Sequence, residues 1–159
     1  MVRSVSRIAV TLVEMLTVLA ILVILAGVAG VAFSRWDNYL KQQATKGLML
    51  ILDGALTEYW QVEGGFPAPS GSLTEAAARN QFLLQSLEAV AASRQVLERA
   101  DKALFKDLWP KDKPDGLLEV YDPWQTVLDY TYVPPDSLPV IRSAGPDRVY
   151  QTGDDITSR

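Results

Sequence analysis

Residues 11–33, TLVEMLTVLAILVILAGVAGVAF, carry one charged side chain, Glu14, and nothing ionisable follows it until Arg35. As a helix rising ~1.5 Å per residue, the roughly 20 uncharged residues after Glu14 extend about 30 Å, the thickness of a bilayer's hydrocarbon core. The pattern predicts one membrane-spanning helix. An acid at the edge of such a span costs on the order of 3 kcal/mol and calls for a cationic partner. Arg3 and Arg7 precede the span with no acid beside them, which places the N-terminus in the cytoplasm and the bulk of the chain outside. A cleaved signal ending in the small residues 26–32 is the competing reading. The position of Glu14 argues against it.

What remains is about 125 residues, enough for one small domain with a modest core. The net charge is -4 and the lysines and arginines are scattered among acids, so the sequence has no basic footprint for nucleic acid. There is neither cysteine nor histidine. That excludes a disulfide framework, thiolate or imidazole catalysis and the usual zinc sites, leaving oxygen-based chemistry.

Beyond Arg35 the helical period continues in Trp36, Leu40, Ala44, Leu48, Ile51, Ala55 and Tyr59, with charged residues off that stripe. One long helix to about Val62 is predicted, with Tyr59 and Trp60 in the core, and Gly64, Gly65, Pro67 and Pro69 ending it. A second helical region starts at a capping box of Ser72 and Glu75, breaks near Ser93 and stops at Pro110. Its charges, Arg79 among them, read as a solvated face. Residues 117–121, 126–133 and 138–142 are β-branched and aromatic and are divided by Asp122-Pro123-Trp124 and Pro134-Pro135-Asp136. They predict a small antiparallel sheet covered by the amphipathic half of the first helix. The fold class is α+β with a helical insert over 73–108.

The last informative stretch runs from Ser143 to Ile156, where Asp147, Asp154 and Asp155 lie on a glycine-rich loop with two turn signals. Converging carboxylates repel unless a cation separates them, and calcium accepts six to eight oxygens in flexible geometry. The alternative is two acidic surface turns.

Two motifs carry a resemblance. Residues 9–16, AVTLVEML, resemble the cleavage and methylation motif of type IV pilins and type II secretion pseudopilins, with Ala9 in place of the usual glycine and Val10 in place of phenylalanine. Residues 143–155 are similar to the calcium loop of the major pseudopilin, and the D-P-W triplet to its turn, with Gln125, Arg148 and Gln151 at positions where glycine is common. Where the family often has a proline late in the span, this chain has Val31, with Gly27 and Gly30 nearby.

The resemblance implies a leader at 1–9, a filament-core and transmembrane helix at 10–34 and a periplasmic domain at 35–159. Cleavage by a prepilin peptidase would fall between Ala9 and Val10, leaving a methylated amine on Val10 and Glu14 to set register between helices. Asp147, Asp154 and Asp155 would hold calcium with the carbonyls of Ala144 and Val149. The implied protein is a structural subunit, not an enzyme, of a type II secretion pseudopilus. It is an inner-membrane, single-pass precursor that polymerises with itself and minor pseudopilins on an inner-membrane assembly platform. The alternatives are a type IV or DNA-uptake pilin and a membrane-anchored calcium-binding domain that never polymerises.

Overall fold

A computed structural model describes residues 12–110, 115–134 and 137–159, with the side chains at 28–32 and 34 outside that description. The fold is α+β. Among the described residues three α-helices, α1 (Leu12–Glu63), α2 (Ala76–Ala89) and α3 (Ala91–Leu97), precede five short strands: β1 (Phe105–Lys106), β2 (Glu119–Val120), β3 (Asp129–Thr131), β4 (Val140–Ser143) and β5 (Ile156–Thr157). The chain divides into a first unit that ends at Tyr39 and a second, Leu40–Arg159, and α1 contributes to both.

In the first unit the helix carries its apolar side chains on the outside: Leu12, Val13, Leu16, Leu19, Val23 and Ile24 are each more than half exposed. The membrane-spanning helix predicted over 10–34, and the single-pass inner-membrane location built on it, are corrected here. Among the described residues no helix is long and apolar enough to cross a membrane. The described apolar side chains after Glu14 cover residues 15–27, about 20 Å of helix against the roughly 30 Å that a bilayer core requires.

In the second unit α1 turns a stripe of Thr45, Leu48, Met49, Leu52, Ala55 and Leu56 inward, all buried. The spacing is helical, three and four residues apart, and each buried leucine contributes about 2 kcal/mol. The predicted stripe shares Leu48 and Ala55 with it, but Leu40 is 58% exposed and Met49, Leu52 and Leu56 take the centre. Trp60 also departs from expectation. It is half exposed and tilts against Phe66, centroids 6.5 Å apart, while Tyr59 packs on the core's margin. Gly64 closes the helix as predicted, at φ 74° with its N–H on the Trp60 carbonyl at 2.8 Å, the left-handed cap that glycine adopts without strain.

The capping box does not form. Glu75 is the N-cap of α2, without a side-chain cap bond, and the Ser72 hydroxyl instead meets that of Ser70 at 2.8 Å. The break expected near Ser93 falls at Val90, whose backbone is extended, and Ser93 itself is buried within α3. Arg79 leaves the solvated face to pair with Asp129 at 2.7 Å and to donate to the Thr74 carbonyl at 2.6 Å.

The strands form two antiparallel sheets, not one. β1 pairs with β2, and β3-β4-β5 make a three-stranded sheet, with Tyr130 opposite Ile141 and Ser143 opposite Ile156. Asn80 of α2 joins the regions by donating to the Leu128 carbonyl at 2.7 Å and accepting from the Val120 N–H at 2.8 Å. Leu52 and Leu56 share one core with Leu83, Leu87, Trp124, Leu128, Tyr130 and Ile141.

Candidate functional site

The C-terminal acidic loop starts where β4 ends. Ala144 is fully buried, and Gly145 turns the chain at φ 65°. A side chain at Gly145 would place its Cβ 2.3 Å from the Asp154 carbonyl oxygen. Only glycine lets the two ends of the loop approach this closely.

The turn signals fold the loop back as the sequence predicts. Asp154 Oδ2 accepts from the Asp147 N–H at 3.1 Å, and Asp154 Oδ1 accepts from the Thr152 hydroxyl at 2.6 Å. That hydroxyl bond is the main cause holding the Asp154 carboxyl below its ordinary range. Asp147 Oδ1 accepts from the Val149 N–H at 2.8 Å, and the Val149 carbonyl lies 3.1 Å from the Thr152 hydroxyl. Arg148 and Gln151 sit at φ 62° and 68°. These are the positions that glycine often takes in the family the loop resembles, so the non-glycine residues adopt the glycine conformation.

Asp155 points elsewhere. Its Oδ2 accepts from the Gln151 N–H at 2.9 Å and meets Arg142 Nη1 at 3.3 Å. Its Oδ1 is buried with no hydrogen-bond partner. The loop thus brings Asp147 to Asp154 and leaves one buried carboxylate oxygen on Asp155 unsatisfied. Among the described residues these three carboxylates do not gather into one group that could hold an ion, and the orphaned Asp155 oxygen is the one feature of the loop that favours a hard cation.

A second acidic group was not singled out from the sequence. Asp107, Asp115 and Glu119 each bring an oxygen within 4.8 Å of the others, and the cluster can hold a metal ion. Glu119 is fully buried. Its Oε1 accepts from Gln81 Nε2 at 2.7 Å, and its Oε2 from the Leu108 N–H at 3.0 Å and the Tyr121 hydroxyl at 3.3 Å. Burial and the nearby Glu119 charge push the Tyr121 phenol up to about 12. Asp107 Oδ2 accepts from the Gly116 N–H at 2.9 Å, while Asp107 Oδ1 is buried and unpartnered. The only signal in the sequence was a glutamate inside the strand-like run Leu117-Leu118-Glu119-Val120-Tyr121.

At the other end of the chain, Glu14 lies exposed in the first turn of α1, where an acid suits the positive end of the helix dipole, and its carbonyl accepts from the Thr17 hydroxyl at 2.9 Å. Ala9 and Val10, the predicted processing residues, lie outside the described residues. No protein-family model, no curated protein and no solved structure matches the chain.

Proposed function

We propose that the chain is a structural subunit of a helical filament of the type II secretion pseudopilus class, cut by a prepilin peptidase before Val10 and assembled with copies of itself and with minor pseudopilins. The observation that carries this reading is the first part of α1, whose leucines, isoleucines and valines over residues 12–25 are exposed on every side of the helix. Exposed apolar surface on this scale requires a cover. Equivalent helices of neighbouring copies supply one, with Glu14 setting register through the amine that cleavage would free on Val10.

The finer reading of the acidic loop is a calcium site. Asp147, Asp154 and Asp155 would hold the ion together with the carbonyls of Ala144 and Val149, and the unsatisfied Asp155 Oδ1 supports it. Bound calcium would supply fixed positive charge that pins the loop. It takes no part in a reaction.

The deciding experiment is the mass and N-terminal sequence of the mature protein from its native host. A chain starting at Val10 and carrying one methyl group supports the filament reading. A chain starting near Gly30 or Phe33 removes it, because both Glu14 and the apolar surface would be lost.

A further inference from the structure

The acidic loop is held from outside itself. Ser143, the last residue of β4, is fully buried and its hydroxyl makes two bonds: it donates to Asp122 Oδ2 at 2.6 Å and accepts from the Gly145 N–H at 3.1 Å. Asp122 belongs to the D-P-W turn and is also fully buried. Its other oxygen, Oδ1, accepts from the Trp124 N–H at 3.0 Å and the Thr126 N–H at 2.9 Å. The turn closes on itself through the Asp122 N–H to the Thr126 carbonyl at 2.8 Å. The turn therefore fixes the carboxylate, the carboxylate orients the hydroxyl, and the hydroxyl fixes the amide at which the loop begins.

From these bonds we infer that Asp122 and Ser143 are positioning residues for the acidic loop, setting the backbone at Ala144 and Gly145 on which the approach of Asp147 to Asp154 depends. Short O–H to carboxylate bonds in a buried setting are among the strongest neutral-to-charged contacts. Gly145 transmits the constraint directly, because it packs against the Asp154 backbone with no room for a methyl group. A second tether from the same hairpin reinforces the arrangement: the Tyr150 hydroxyl donates to the Val127 carbonyl, so the loop is held at its start and near its middle. The inference deepens the calcium reading by naming what holds the ligand loop ready, and it can be tested with or without the ion.

The test is amide hydrogen exchange, read by NMR on the full chain in its native assembly state, for wild type, Ser143→Ala and Asp122→Asn, first with EDTA and then with calcium alone. Ser143→Ala removes both bonds, and Asp122→Asn removes the acceptor for the hydroxyl while preserving shape. In EDTA both variants are expected to speed exchange at Asp147 and Gln151, two amides that neither substitution touches, by about tenfold. The Val120 amide, which donates to Asn80 Oδ1, and the Leu128 amide, which donates to the Val120 carbonyl, report that the fold persists. Unchanged protection at Asp147 and Gln151 in both variants overturns the relay, and so does a uniform loss across the whole domain. A wild-type loop whose amides ignore calcium overturns the calcium reading alone, since the exchange result in EDTA decides the relay independently.

Discussion

Asp122 Oδ2 and Ser143 Oγ stand 2.6 Å apart in the core, and that one bond joins a turn read from three residues of sequence to a loop more than 20 positions later. Burial pushes the Asp122 carboxyl above its ordinary range, against the opposing pull of the Ser143 hydroxyl, the Thr126 and Trp124 amides and the Arg148 charge. Tyr150 also faces this carboxyl, and its own phenol is pushed up by burial. A carboxyl whose folded value lies above its unfolded value keeps its proton longer in the folded state. Its contribution to stability is therefore greatest below about pH 4 and falls as pH rises toward the folded value. Relative to Asp122→Asn, wild type is expected to lose stability across that window and then to run parallel. Urea unfolding of both proteins at several pH values and fixed ionic strength measures the gap. A gap independent of pH would mean that the carboxyl is not desolvated in solution.

Gly145 is the loop's tightest point. With φ at 65° and an added Cβ 2.3 Å from the Asp154 carbonyl oxygen, Gly145→Ala combines a left-handed penalty with a clash against backbone. We expect a loss of at least about 2 kcal/mol by urea unfolding. Gly71, which has open space and no such φ, is the control, and Gly71→Ala is expected to change stability by less than about 0.5 kcal/mol.

Arg148 and Gln151 pose the opposite case, since each holds the left-handed conformation with a full side chain. Glycine relieves about 1–2 kcal/mol of local strain and returns about half to one in unfolded-chain entropy. Arg148→Gly and Gln151→Gly are each expected to stabilise the domain by about 0.5–1 kcal/mol. Thermal melts with EDTA present test this without interference from bound ions. Destabilisation by both would show that their side chains matter more than their backbone.

The features legible in the sequence are those written in local backbone chemistry. Gly64 ends α1 because a left-handed cap wants glycine, and Trp124 is buried because Asp122 and Pro123 turn the chain there. The acidic loop turns at Gly145, at φ 65°, for the same reason. The illegible features depend on tertiary pairing. Phe105–Lys106 is a strand only because β2 lies beside it, and two residues carry no alternation to read. Glu119 is charged and sits in a short strand-like run, and only the donors from Gln81, Leu108 and Tyr121, none of them adjacent to it in sequence, allow it to be buried. Trp36 and Leu40 share the apolar spacing of α1 but stay exposed, so spacing alone points to a different face from the one that Met49, Leu52 and Leu56 bury.

Asn80 shows how much such a tertiary pairing is worth. Its amide completes two buried backbone groups, the Val120 N–H and the Leu128 carbonyl, in the manner of a missing strand residue. Asn80→Ala leaves both without a partner, at about 1–3 kcal/mol each. A total loss of about 3 kcal/mol is expected by chemical unfolding. Asn80→Asp is expected to do no better, because a carboxylate cannot donate to Leu128 and introduces a buried charge.

Asp107, Asp115 and Glu119 allow the role of a cation to be read from the sign of one substitution. Their oxygens gather within 4.8 Å, and Asp107 Oδ1 is buried with no partner. With EDTA present the cluster repels itself. Asp107→Asn, which can still accept from the Gly116 N–H, is then expected to stabilise the domain by about 0.5–1 kcal/mol. An ion between the acids reverses the balance, because removing a charged ligand weakens binding and with it the stabilisation that binding adds, about 2.7 kcal/mol at a hundredfold excess over the dissociation constant. Melting temperatures of wild type and Asp107→Asn are therefore expected to change order between EDTA and millimolar calcium. To keep the two acidic sites apart, the comparison is made in an Asp154→Ala background, where the C-terminal loop lacks the carboxylate that Asp147 and Thr152 both engage. If Asp107→Asn is the more stable protein in both buffers, the cluster is an electrostatic liability of the fold and holds no calcium.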